Sequence, residues 1–179
     1  NLILKYLVLG ISVYVYIVCF PGGWSPDSNS TYLNSIANKA QPNRPLLSNI
    51  IFILLNYISK SYSFVIHYNF QVFLYLFAVF KLSSILSPIR SLVFLIVFLV
   101  FPPFLGVILT FWSMSISTPF LIFTVYFLFL KIENKTENHF LFYINLFLFS
   151  AFRWENSLVG GILLFLYIIK PKYFKKHYF

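Results

Sequence analysis

Residues 2–20 read LILKYLVLGISVYVYIVCF, a stretch in which Lys5 is the only charge. As a helix rising about 1.5 Å per residue it reaches across a hydrocarbon core of about 30 Å. It is too evenly apolar, and too poor in a small-residue cleavage site, to be a signal peptide. It reads as a first membrane helix, and the rest of the chain keeps the same character. Of 179 residues 60% are hydrophobic and 9% charged, and the mean hydropathy is +0.84. A soluble domain carries about a quarter of charged residues. The composition excludes a soluble enzyme, and it is the opposite of a disordered chain. The expected fold class is all-α: a polytopic transmembrane helical bundle, one domain over residues 1–179 and part of a longer protein.

Working outward, residues 21–45 change abruptly to Gly, Pro, Ser, Asn and Gln. Ser25-Pro26-Asp27-Ser28 has helix-start chemistry, with a proline suited to the first turn and side chains able to satisfy free amides. Tyr32, Leu33, Ile36, Ala37 and Ala40 then share one helical face, so this first extracytoplasmic loop is expected to carry an amphipathic helix lying on the membrane. Residues 46–58 would measure only about 20 Å, short of a span. Residues 64–80 read as a crossing, 81–90 as a loop, and 91–111 as an apolar run broken by Pro102-Pro103. A polar patch at 112–119 precedes a descending helix over 120–130. A charged loop at 131–139, an ascending segment at 140–152, a polar corner at 153–156 and a last apolar run at 158–169 lead to the basic tail, 170–179.

Lys+Arg number 13 against four acidic residues, and membrane topology and anionic lipid explain that excess without nucleic acid. With the N-terminus inside and 46–58 not crossing, Lys5, Lys81, Arg90, Lys131, Lys135, Lys170, Lys172, Lys175 and Lys176 are cytoplasmic. Lys39, Arg44, Lys60 and Arg153 are then outside, the asymmetry that sets orientation. A rival with 46–58 spanning and the N-terminus outside is equally consistent with charge; helix length favours the first.

Cys19 stands alone, so neither a disulfide nor a cysteine-rich metal site forms. Chemistry using a carboxylate must draw on Asp27, Glu133, Glu137 and Glu155. Asp27 caps a helix on local chemistry alone; its functional reading is a general base or metal ligand facing a lipid-linked substrate. Arg153 and Glu155 occupy a corner between apolar segments, where charges must pair, meet water or bind something. Two apart, they would not face each other on one helix. The bland reading is an exposed loop with a local ion pair; the functional one is a guanidinium holding a phosphate or pyrophosphate. His67 and Gln71, spaced i, i+4, share a face, where packing between membrane helices is their commonest role. His67, His139 and His177 lie too far apart for a metal site. No phosphate loop, nucleotide fingerprint or serine elbow is present.

Taken in order, the long first helix, Ser25-Pro26-Asp27-Ser28, the amphipathic helix with Tyr32 and Ala37, Pro45 opening a short helix, and Gln71 in the next crossing resemble the N-terminal half of polytopic membrane glycosyltransferases of the GT-C class. Phe101-Pro102-Pro103-Phe104-Leu105-Gly106 and Phe152-Arg153-Trp154-Glu155-Asn156-Ser157 have counterparts in order and spacing. The chain is similar in particular to bacterial families related to the protein O-mannosyltransferases and to lipopolysaccharide sugar transferases. That resemblance implies a multi-pass protein of the bacterial inner (plasma) membrane. It would move a sugar from a polyprenyl-phosphate donor to a glycan, lipid or protein acceptor of the cell envelope. It makes Asp27 the catalytic base or a contact to a divalent metal, and puts Arg153 at the donor phosphate, helped by Arg44 or Lys39. Glu155 and Gln71 join the expected substrate-binding set. The chain departs from many relatives in having Asn43-Arg44-Pro45-Leu46 in place of His-Pro-Pro, and Trp112-Ser113-Met114-Ser115 where a later acidic residue is usual. The alternatives are a polysaccharide (O-antigen-type) polymerase and a non-enzymatic membrane subunit or transporter component.

Overall fold

The computed structural model describes residues 2–18, 46–59, 63–100, 113–133 and 138–169. These are all-helical, with no strand among the described residues. The helices are α1 (Leu2–Val18), α2 (Leu46–Ile58), α3 (Ser63–Ser84), α4 (Pro88–Val100), α5 (Ser113–Ile132), α6 (His139–Phe152) and α7 (Asn156–Ile168). Two of them, over Val65–Ser84 and Ser115–Ile132, are long and apolar enough to cross a membrane. The amphipathic helix, Asp27, Lys39, Arg44 and the basic tail lie outside the described residues.

Uncharged polar side chains inside these apolar helices bond back to their own backbone. Ser12 Oγ donates to the Val8 carbonyl at 2.8 Å, Thr124 Oγ1 to Phe120 at 2.7 Å, Asn69 Nδ2 to Val65 at 2.8 Å and Asn145 Nδ2 to Leu141 at 2.7 Å. A group satisfied in this way costs little when water is excluded.

The loop expected over 81–90 shrinks to three residues. α3 continues through Lys81 to Ser84, and Pro88 opens α4, where a missing N–H costs nothing. The Ser91 amide donates to the Ser87 carbonyl at 2.8 Å and starts the new helix. A second correction concerns 112–119, expected as a polar patch ahead of a helix from Phe120. Instead α5 begins at Ser113 and runs straight through Pro119. Ser115, Ser117 and Pro119 are buried between helices, and such packing keeps a proline-bearing helix intact in apolar surroundings.

α1 and α3 run antiparallel: Tyr6 meets Phe80 at one end, and Tyr68 Oη donates to the Tyr16 carbonyl at the other. α4 folds back on α3, with Tyr75 Oη donating to the Phe98 carbonyl. The first core joins Val8 and Tyr16 of α1, Tyr75, Ala78, Val79 and Leu82 of α3, and Leu95 and Leu99 of α4, with Ile122 of α5. A second gathers Leu128 of α5, Phe142 and Leu146 of α6, and Leu163 and Tyr167 of α7. α5 is the shared wall of both cores, with Val125 against each.

α6 and α7 form a tight hairpin. Asn138 caps α6 by accepting the Leu141 amide at 3.3 Å, and Asn156 Nδ2 donates across the corner to the Phe149 carbonyl at 2.9 Å. Close approach of the two helices depends on Gly160. A Cβ there would lie 2.6 Å from Ser150 Oγ and 3.5 Å from a Leu146 methyl. Read from sequence as crossings, these segments are helices of 14 and 13 residues, about 20 Å each, which is shorter than a full hydrocarbon core.

Candidate functional site

The corner between α6 and α7 is where the structure puts two of the expected site residues together. At Arg153 the backbone leaves the helix, with φ −153° and ψ 130°. That extended residue turns its guanidinium back toward Glu155. Nη2 donates to Oε1 at 3.1 Å and Nε to Oε2 at 3.3 Å, a two-pronged pair. The i, i+2 separation that rules out contact on one helix is no obstacle here, because both residues lie in the corner between the end of α6 and the start of α7. Glu155 stands at the start of α7 but makes no side-chain cap, its carboxylate being turned to Arg153. Between them Trp154 is 74% exposed, while the Arg153 side chain is 21% and the Glu155 side chain 45% exposed.

The corner abuts α5 through Phe120, which stacks on Phe152 at 5.6 Å between centroids. Ser115, Ser117 and Pro119 lie within five positions of Phe120 and are buried. Gln71 and His67 are fully buried in α3, which packs on α5. The structure therefore places both in the interior of the bundle. Asp27, Arg44 and Lys39 fall outside the described residues.

Among the described residues no three of His, Cys, Asp and Glu come together in a way that would hold a metal ion. Of the described carboxylates, Glu155 has its oxygens on Arg153.

At the opposite end of the α6–α7 hairpin lies a cluster that sequence reasoning passed over. His139 Nδ1 and Tyr167 Oη share a hydrogen bond of 2.6 Å, and the Tyr167 ring lies against Phe142 and Lys131. Lys131 and His139 bracket the charged loop and were legible as its edges. Tyr167 carries no local signal within an apolar run.

Comparison with known proteins finds no matching family profile, curated protein or solved structure.

Proposed function

We propose that this chain is a multi-pass membrane protein taking part in sugar transfer from a polyprenyl-phosphate donor on the outer face of the bacterial inner membrane. The membrane part is supported by where charge and hydrocarbon sit. α1, α3 and α4 collect Lys5, Lys81 and Arg90 at one end, next to the Tyr6–Phe80 contact, with no Lys or Arg described at the Tyr16–Tyr68 end. In the α5–α7 unit Lys131 lies at one end, and the only cation described at the other, Arg153, is paired with Glu155. Large apolar side chains cover the outward faces, among them Leu7, Phe73, Val93, Phe147, Ile162 and Phe165. Water does not tolerate so continuous an apolar surface, whereas lipid requires one.

The transfer part rests on one observation above the others, the Arg153 fork presented at an interhelical corner beside an exposed tryptophan. A guanidinium holding a carboxylate by two parallel bonds has the geometry needed to hold two phosphate oxygens. The donor phosphate would take the place of the Glu155 carboxylate, its polyprenyl chain lying along the aromatic helix walls. Asp27 deprotonates the acceptor hydroxyl in this reading, on the strength of the resemblance described above.

A second reading is favoured by the same pair. Arg153 satisfied by Glu155 is also what a non-enzymatic membrane subunit needs to keep a corner neutral. Donor binding separates the two. Full-length protein is reconstituted in nanodiscs, and polyprenyl-phosphate affinity is compared for wild type, Arg153→Lys, Arg153→Gln and Glu155→Gln. Phosphate recognition predicts weaker binding for Lys, loss for Gln and tighter binding for Glu155→Gln, which removes the competing charge. Equal affinity across all four means that the pair is structural.

A further inference from the structure

α4 carries a surface groove of about 410 Å³ that runs from Leu86 to Phe98. It is lined by one face of that segment, Val93 and Val97 among it, and every lining side chain except Arg90 is hydrocarbon. Arg90 sits near one end, exposed, with no ion-pair partner among the described residues. From Pro88 to Phe98 the helix advances about 15 Å, half of a hydrocarbon core of about 30 Å. The groove is therefore about one leaflet deep.

The charge at its mouth is not isolated. Lys5 at the start of α1 and Lys81 in the last turn of α3 lie at the same end of the three-helix unit, and none of α1, α3 and α4 contains an acidic residue. Lys81 Nζ is 5.5 Å from the Phe77 ring centroid, held along its own helix. An open apolar groove with one cation in its lining, and two more at the same end of the unit, matches an amphiphile with an anionic head and a hydrocarbon tail. A helix from a second copy would fill the trough without needing a cation at its end, and a free phosphate would need no trough.

We infer that this groove holds an acyl chain of an anionic glycerophospholipid of the cytoplasmic leaflet, with its phosphate at Arg90 and Lys5 and Lys81 adding to the local potential. The inference rests on the membrane reading above and is independent of sugar transfer.

The test uses the full chain in phosphatidylcholine nanodiscs doped with phosphatidylglycerol or phosphatidylcholine bearing a photoactivatable acyl chain, and maps crosslinks to the α4 peptide. The expected result is several-fold more labelling by the phosphatidylglycerol probe, competed by unlabelled phosphatidylglycerol and unaffected by glycerol phosphate. Arg90→Gln should lower labelling to the phosphatidylcholine level, Arg90→Lys should retain most of it, and Val93→Trp should block the trough for both probes. Equal labelling by the two lipids, indifference to Arg90→Gln, or competition by glycerol phosphate would overturn the inference. So would a Val93→Cys disulfide between copies that forms in place of labelling. Alkaline carbonate extraction of the same protein from vesicles separates the two levels: a chain that is released refutes the membrane reading itself, whereas a retained chain without lipid preference refutes only the groove.

Discussion

The Lys131 ammonium lies 3.6 Å from the centroid of the Tyr167 ring. Phe142 stacks on the same ring, also 3.6 Å between centroids and 9° from parallel, so cation and phenyl hold opposite faces. The end of α7 is thereby fastened to the last turn of α5 and the first of α6, and His139 adds a hydrogen bond at the phenol.

Tyr167→Phe keeps the ring and loses only the bond to His139, so it should cost about 1 kcal/mol. Tyr167→Ala removes the ring from the second core and should cost about 3 to 5 kcal/mol. Denaturant unfolding in detergent micelles measures both. Equal costs would mean that the hydroxyl, and not the sandwiched ring, fastens the helix.

Gly160 sets the spacing of the α6–α7 hairpin, because a Cβ would collide with Ser150 Oγ. That oxygen can rotate away, so Gly160→Ala should destabilise only modestly and Gly160→Val should cost about 1 to 3 kcal/mol from overpacking. Ser150→Ala removes the colliding atom and should recover the Gly160→Ala loss. Without that recovery in the double-mutant cycle, the contact is not what limits the approach.

Tyr75 donates to the Phe98 carbonyl. Tyr75→Phe removes that hydrogen bond and should cost about 1 kcal/mol. Tyr126→Phe, on a half-buried ring of α5, serves as the comparison and should cost less. Similar small losses for both would show that the Phe98 carbonyl does not depend on Tyr75.

Residues 21–45 and the link between α2 and α3 should lie on the outer side. With Cys19 replaced, cysteines at Ser30 and Ser61 should both react with an impermeant maleimide, and one at Ser87 should react only after permeabilisation. Labelling at Ser61 without Ser30 would support the topology in which α2 crosses.

Helix positions were largely legible because apolar runs and polar breaks are local properties. Leu46–Ile58 begins after Pro45 and ends before the polar stretch that follows, and the helix has those bounds. What depended on tertiary surroundings was not legible. Pro119 reads as a boundary, yet it lies inside α5 because neighbouring helices bury that turn. Arg153 and Glu155 were legible as a charged corner, but their pairing follows from one residue leaving helical geometry, which spacing alone does not encode. Tyr167 was invisible because its partners, Lys131 and His139, come from distant parts of the chain.

On the membrane reading proposed above, the shortness of α6 and α7 has a mechanical consequence for the surrounding film of lipid. A hairpin about 20 Å tall beside α5, about 30 Å tall, leaves a step in the protein's hydrophobic outline. A bilayer relaxes over such a step by thinning, at a fraction of a kcal/mol per Å. Head groups and water would then dip toward Arg153, Trp154 and Glu155. A lipid-borne substrate meeting the protein there would need to be lifted less far out of its leaflet, and shortening the step by lengthening α6 and α7 would raise that barrier without touching a single contact residue.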